Sequence, residues 1–207
     1  MKIHPRSRAI RLRRAYRARC PFQRFPSTLT SCRRITENSS KQFVALSPGI
    51  ADAVRYVDAI ERFFTAALYP TLRCPRKEVP INDGRKRIDL SYTNDATDGC
   101  FGWLQRNHAS GNIFFECKNY SHEVANPELD QLAGRFSPTR GRVAFLVRRS
   151  VEDKGRLYGR CRDLAIGKQE FIIPLEDADL IEFVDALQNG NDSVFAFFKT
   201  RFDKVSM

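Results

Sequence analysis

The chain has 207 residues, 42% hydrophobic and 29% charged, a balance typical of a globular domain with enough apolar material for a core. No apolar run approaches the ~18 to 20 residues that cross a bilayer, so a membrane-spanning protein is excluded and no membrane partner is expected. The N-terminal residues lack the apolar stretch of a signal peptide. Six cysteines occur without any C-x-x-C pair, which argues against a zinc site and favours a reducing, cytoplasmic compartment.

The net charge of +11 is concentrated at the N-terminus. The first 36 residues hold 11 of the 35 Lys and Arg residues and no acidic residue, which leaves 24 basic and 24 acidic residues for 37–207. We therefore predict a disordered, basic arm over residues 1–40 and a single domain over residues 41–207. Three explanations of the arm remain open: phosphate binding on nucleic acid, an organelle transit peptide, or an upstream extension without function.

The first predicted element of the domain is a helix over residues 47–68, capped by Ser47. Apolar residues recur there at spacings of three and four and predict a buried stripe formed by Ile50, Val54, Val57, Phe64 and Leu68. Glu61 falls on that same stripe, where an uncompensated carboxylate is costly. It is expected either to bond a nearby arginine or backbone group or to join a functional site.

Residues 77–92 predict a β-hairpin, because Asn82-Asp83-Gly84 is a turn sequence between two strand-like segments. On the second strand Asp89 stands between the apolar residues Ile88 and Leu90. Residues 94–111 are polar and predict a long loop around the single Trp103.

Residues 112–120 predict the strand that carries most of the chemistry, with the sequence N-I-F-F-E-C-K-N-Y. Because side chains alternate along a strand, Glu116 and Lys118 share one face, ~7 Å apart, while Cys117 lies on the other. A carboxylate and an ammonium at the end of an apolar strand form either a salt bridge at a sheet edge or part of a metal-dependent phosphodiesterase site.

The remaining segments predict alternating helices and strands. They are a helix from Pro127 to Phe136, a strand over 142–148, a helix over 152–166, a strand over 170–175, and helices over 177–187 and 192–203. This order predicts an α/β fold with a mixed β-sheet, antiparallel at its start and parallel through the crossovers, with helices on both faces.

Asp89, Glu116 and Lys118 together supply what phosphodiester hydrolysis requires. Two carboxylates suffice to hold Mg²⁺, which keeps several waters, and the carbonyl of Cys117 is a candidate additional ligand. The metal neutralises the phosphate and lowers the pKa of a bound water, and a neighbouring lysine stabilises developing charge.

An acid on one strand followed by E-C-K on the next, after a helix, resembles the PD-(D/E)xK superfamily of restriction-endonuclease-like nucleases over residues 45–175. The resemblance implies a restriction-endonuclease-like core in which Asp89 and Glu116 bind Mg²⁺, with Mn²⁺ as a substitute, and Lys118 is the catalytic lysine. Glu61 matches an acidic residue on the first helix of some members. Gln131 matches a glutamine that several branches carry on the helix after the E-x-K strand. The 27 residues from Asp89 to Glu116 imply an insertion.

The function expected from these residues is a Mg²⁺-dependent DNA endonuclease acting in restriction, defence or DNA repair. Arg135, Arg140, Arg160 and Arg162 are candidates for contacts to the DNA backbone. His122 is a candidate second base or phosphate contact, or simply an exposed loop residue. Specificity would come from DNA structure or from a partner, either a second copy of the chain or a separate specificity or motor subunit.

Two other functions remain open. The first is a nucleic-acid-binding module of nuclease fold without catalysis, which would bind DNA in a salt-sensitive manner but ignore chelators. The second is an α/β protein in which Glu116 and Lys118 merely pair.

Overall fold

A computed structural model describes residues 42–120 and 126–207 of the chain. The basic segment 1–40 and His122, to which functions were assigned above, lie outside these residues. The strands in chain order are β1 (Leu72–Ile81), β2 (Lys86–Asn94), β3 (Asn112–Lys118), β4 (Val143–Arg148) and β5 (Phe171–Glu176).

Helices alternate with the strands. A 3₁₀ turn (Ile50–Asp52) leads into α1 (Ala53–Leu68), followed in chain order by α2 (Gly99–Asn107), α3 (Asn126–Ala133), α4 (Lys154–Lys168), α5 (Asp177–Asn189) and α6 (Asn191–Ser206). In the described part of the chain, no helix has both the length and the apolarity to cross a bilayer.

The five strands form one mixed sheet in the order β1-β2-β3-β4-β5. The pairs β1–β2 and β2–β3 are antiparallel, whereas β3–β4 and β4–β5 are parallel. The prediction of a mixed α/β sheet, antiparallel first and parallel after, is confirmed. Because the three parallel strands are in register, their carboxyl ends bring Lys118, Arg148 and Glu176 to the same edge.

Aromatic side chains hold helices against the sheet. On one face Phe115 packs on Phe64 of α1, with ring centroids 4.4 Å apart, and on Phe145 of β4, 5.2 Å away. Phe198 of α6 continues this cluster 5.4 Å from Phe145. On the other face Phe114 stacks on Phe136, which follows α3. Burying each of these rings contributes about 1.5–3 kcal/mol to folding.

The buried face of α1 differs from the prediction. Ile50 and Val54 were expected inside but are 96% and 74% exposed, whereas Tyr56 and Phe63 are fully buried. Phe64 and Leu68, from the C-terminal part of the predicted stripe, are buried as predicted, so the error lies at its start. Ile50 belongs to the 3₁₀ turn, so the direction of its side chain does not follow the 3.6-residue period of the α-helix.

The predicted loop over 94–111 is also wrong, because residues 99–107 form helix α2. Cys100, Phe101 and Leu104 are buried on its inner side. Gly102 is required at the closest contact, since a Cβ there would meet the carbonyl carbon of Thr97 at 2.8 Å. A glycine-containing, weakly apolar segment therefore becomes helical through packing rather than through intrinsic propensity.

The four cysteines within residues 42–120 and 126–207 are of two kinds. Cys100, Cys117 and Cys161 are free and buried, and burial raises the pKa of each thiol. Cys74 is disulfide-bonded. Because disulfides are uncommon in reducing compartments, the cytoplasmic location stays a prediction.

Candidate active site

The candidate site lies where strands β2 and β3 part. Their antiparallel register runs from the Thr93–Asn112 pair to the Leu90–Phe115 pair, where it ends. The next position along this register places Asp89 opposite Glu116. Both residues are thus on the sheet face of Phe114, at the end of the ladder.

Asp89 compensates for the end of the ladder. Its Oδ2 accepts a hydrogen bond of 2.9 Å from the backbone N–H of Cys117, which would otherwise face β2 without a strand partner. Burial, together with the negative charge of Glu116, raises the pKa of Asp89 to about 6, although this hydrogen bond opposes the shift. A cation bound next to this carboxylate would therefore stabilise its charged form.

Glu116 is buried, with a side chain only 5% exposed, and two cations compensate its charge. The Nζ of Lys118 lies 3.1 Å from its Oε1, and the guanidinium of Arg135 donates to its Oε2. The Lys118 side chain is 26% exposed, so it lies at the border between the buried pair and solvent. Glu116 therefore lies between a partly buried arginine and a partly exposed lysine.

The ligands available to a metal here are few. The thiol of Cys117 is on the opposite face of β3, but its carbonyl points to the same side as its N–H, toward the gap between β2 and β3. Across residues 42–120 and 126–207, no three or more His, Cys, Asp or Glu side chains lie close enough together to hold a metal ion. Two carboxylates and one carbonyl fit Mg²⁺, which retains water ligands, and they fit zinc poorly.

Glu61 is not brought to this pair. Its carboxylate accepts a hydrogen bond of 3.1 Å from Thr65, and its backbone carbonyl accepts one of 3.0 Å from the hydroxyl of Tyr92. Tyr92 and Phe115 lie on the sheet face that α1 covers, whereas Glu116 is on the other face. The Thr65 hydrogen bond explains how this partly buried carboxylate is tolerated.

The other predicted residues surround the pair at varying distance. Gln131 is exposed on α3, and the side chain that reaches Glu116 from this segment is Arg135 instead. The Nε of Arg140 donates to the carbonyl of Arg135 at 3.2 Å. Arg160 and Arg162 lie on α4, partly buried. Their contacts to DNA stay predictions.

Sequence reasoning missed a buried arginine beside the site. Arg148 is 1% exposed, in register with Lys118, and its guanidinium lies 5.9 Å from the centre of the Tyr120 ring. The hydroxyl of Tyr120 donates in turn to Glu128 of α3. The available signal was a charged residue at the end of an apolar strand aligned with Lys118.

The fold and this geometry define a class of site: an acidic pair with an adjacent lysine at a strand junction of a mixed α/β sheet. Comparisons of the chain with protein-family models, curated proteins and solved structures give no match. The resemblance to the PD-(D/E)xK nucleases therefore rests on Asp89, Glu116 and Lys118 and on the order of the elements.

Proposed function

We propose that this chain is a Mg²⁺-dependent phosphodiesterase that cleaves DNA, with Asp89 and Glu116 as metal-binding residues and Lys118 as the catalytic lysine. The observation that carries the proposal is the meeting of two carboxylates where β2 and β3 part, with the Lys118 ammonium 3.1 Å from Glu116. Closing the end of the ladder does not require an acidic pair, because the amide oxygen of an asparagine would also accept the Cys117 hydrogen bond.

The carboxylates supply negative charge for the cation. Asp89 and Glu116 face each other, and their mutual repulsion is part of what raises the pKa of Asp89 to about 6. A bound Mg²⁺ would neutralise the phosphate and lower the pKa of a coordinated water. Asp89 must be deprotonated to bind it, so activity is expected to rise with pH through about 6.

Lys118 has the position of a group that acts on the reacting phosphate. Its ammonium is held by Glu116 in a side chain that is 26% exposed, and the remaining N–H groups can donate to a water or a phosphate oxygen. There it orients the attacking water or stabilises the charge that develops on the phosphorane oxygens. Arg135 positions Glu116 from the opposite side.

The test is cleavage of supercoiled plasmid DNA by the full chain with Mg²⁺, with Mn²⁺ and with a chelator. Wild type should nick or cut the plasmid only with metal. Lys118→Ala should lower the rate at least about 10²-fold, the loss typical when an electrostatic stabiliser is removed. Lys204→Ala is the matched control, because Lys204 is exposed on α6, and it should cleave at the wild-type rate. RNA of the same sequence tests the choice of DNA.

Two results contradict the proposal. One is a wild-type protein that cleaves neither DNA nor RNA with either metal. The other is a Lys118→Ala variant with undiminished activity.

One observation favours a second candidate, a DNA-binding module without catalysis. Both oxygens of Glu116 are already engaged by Lys118 and Arg135, so its charge is compensated without metal. This candidate predicts DNA binding that Asp89→Asn and chelators leave unchanged. Roles in restriction, defence or DNA repair are proposed only for the catalytic function and not for this second candidate.

A further inference from the structure

The hairpin formed by β1 and β2 extends past the candidate site. β1 pairs with β2 as far as the Ile81–Lys86 pair, whereas the β2–β3 register ends at Leu90–Phe115. The hairpin therefore continues about four residues beyond that end, or roughly 14 Å at ~3.4 Å per residue. Its turn is tight, because Asn82, Asp83 and Gly84 all have positive φ. We call residues 76–87 the hairpin tip.

The hairpin tip is basic in an otherwise neutral domain. It holds Arg76, Lys77, Arg85, Lys86 and Arg87 against two acidic residues, while residues 37–207 as a whole have no net charge. The opposite region, 169–192, holds seven acidic residues and no basic one. β1 and β5 are the two edges of the sheet, so the basic tip and this acidic segment belong to opposite edges. Lys154, Arg149 and Arg201 pair with four of the acidic residues, whereas the tip keeps an excess of basic residues.

The acidic residues of the tip do little to neutralise it. Glu78 pairs with Arg87 at 3.3 Å and Asp83 with Arg85 at 3.6 Å, and all four side chains are at least 60% exposed. Exposed ion pairs of this kind stabilise a fold by 0–1 kcal/mol, so a phosphate can replace the carboxylate at little cost.

The tip also lies beside the catalytic residues. Arg87 is two residues from Asp89 on β2. The Nζ of Lys86 donates to the carbonyl of Gly134 at 3.3 Å, directly before Arg135, which holds Glu116. A polyanion bound along the tip would therefore pass the acidic pair.

We propose that the hairpin tip is a nucleic-acid-binding arm that holds the DNA backbone next to Asp89 and Glu116, with Arg85 and Arg87 as its phosphate contacts. A two-stranded β-ribbon fits the grooves of duplex DNA, and arginine binds phosphate in a bidentate manner. This inference rests on the proposed function for its substrate. It adds a binding surface whose residues lie outside the candidate active site.

The experiment is DNA binding by the full chain without Mg²⁺, so that cleavage does not interfere. Fluorescence anisotropy on a labelled duplex of about 20 base pairs is recorded over a series of salt concentrations. Arg85→Ala/Arg87→Ala should lower affinity at least about 10-fold and reduce the slope of log affinity against log salt by about 2, one counterion per lost phosphate contact. Arg55→Ala/Arg62→Ala removes the same charge from the exposed face of α1 and should change neither quantity.

The thermal midpoint should be unchanged in the hairpin variant, because the ion pairs of Arg85 and Arg87 are exposed. It should also be unchanged in the control variant, because Arg55 and Arg62 are themselves exposed. Equal affinity and equal slope for the hairpin variant and wild type would overturn the inference. Plasmid cleavage separates it from the proposed function. If the tip variant binds DNA more weakly but wild type does not cleave, the proposed nuclease function is wrong and the role of the hairpin tip is supported. If wild type cleaves but the tip variant binds as well as wild type, the nuclease function is supported and the role of the tip is wrong. Absence of binding by wild type overturns the inference, and plasmid cleavage then decides the proposed function separately.

Discussion

The antiparallel and parallel halves of the sheet differ in what surrounds them. All six residues of β4 and five of the six in β5 are buried. The middle of β1, in contrast, is exposed over Arg76, Lys77 and Glu78. The parallel strands β4 and β5 are buried on both faces, whereas β1, at the edge of the antiparallel half, presents charge to solvent. The candidate site lies at the boundary between the two halves, so the proposed chemistry would take place where the buried part of the sheet ends.

The contribution of the parallel half to stability is tested most directly at Phe145, in the middle of β4. Phe145 is fully buried and contacts Phe115, Phe101 and Phe198. Phe145→Ala should lower the free energy of unfolding by about 3–5 kcal/mol, because it removes a buried ring and leaves a cavity. Urea denaturation at pH 7 measures this. A loss below 1 kcal/mol would show that the parallel half is not the stabilising one.

A substitution of Asp89 tests the boundary between the two halves of the sheet. We expect this residue, proposed to bind metal, to lower the stability of the fold. Its pKa is about 6 in the folded protein, above the ordinary value of 3.8, mainly through burial and then through Glu116, while Lys118 and Arg135 oppose the shift. The folded state therefore holds the proton more tightly than the unfolded state. The resulting stabilisation is complete below pH 4 and is lost as pH rises through 6.

Asp89→Asn should accordingly be more stable than wild type by about 1–3 kcal/mol at pH 8, from ~1.4 kcal/mol for each pKa unit, and similar at pH 4. Denaturation with a chelator at both pH values measures the difference, which cancels contributions from other groups such as Asp177. Mg²⁺ should stabilise wild type and leave the variant unchanged. A variant that is less stable at pH 8 would contradict this account of the pKa.

The hairpin tip should show the smallest effect. Glu78→Ala breaks the exposed pair with Arg87, and the free energy of unfolding should change by no more than about 0.5 kcal/mol. Its DNA affinity should instead rise, because a negative charge leaves the basic surface. A destabilisation above 1.5 kcal/mol would mean that the antiparallel half contributes more to the fold than its exposure indicates.

The same division explains which parts of the fold the sequence could predict. The runs of apolar residues in β4 and β5 specify buried strands without any knowledge of their neighbours, and the Asn82-Asp83-Gly84 turn specifies the hairpin. Alternation along β3 places Glu116 and Lys118 on one face, and their ion pair follows from it. These features are local, so one sequence suffices to predict them.

The features that were missed depend on distant contacts. Helix α2 forms because Phe101 packs on Phe198 and because Gly102 permits contact with Thr97, and none of these contacts is visible in the local sequence. Arg135 reaches Glu116 from beyond the end of α3, across a separation of 19 residues. The position of Glu61 above the other sheet face likewise depends on how α1 packs, which periodicity alone cannot specify.

The hydrogen bond between the Cys117 amide and Asp89 has a spectroscopic consequence. A backbone proton held by a titrating carboxylate changes its chemical environment as that carboxylate gains or loses charge. The ¹⁵N and ¹H resonances of Cys117 should therefore shift with a midpoint near pH 6 and respond to added magnesium. A single amide, observed by NMR, would report the protonation and occupancy of the acidic pair in solution.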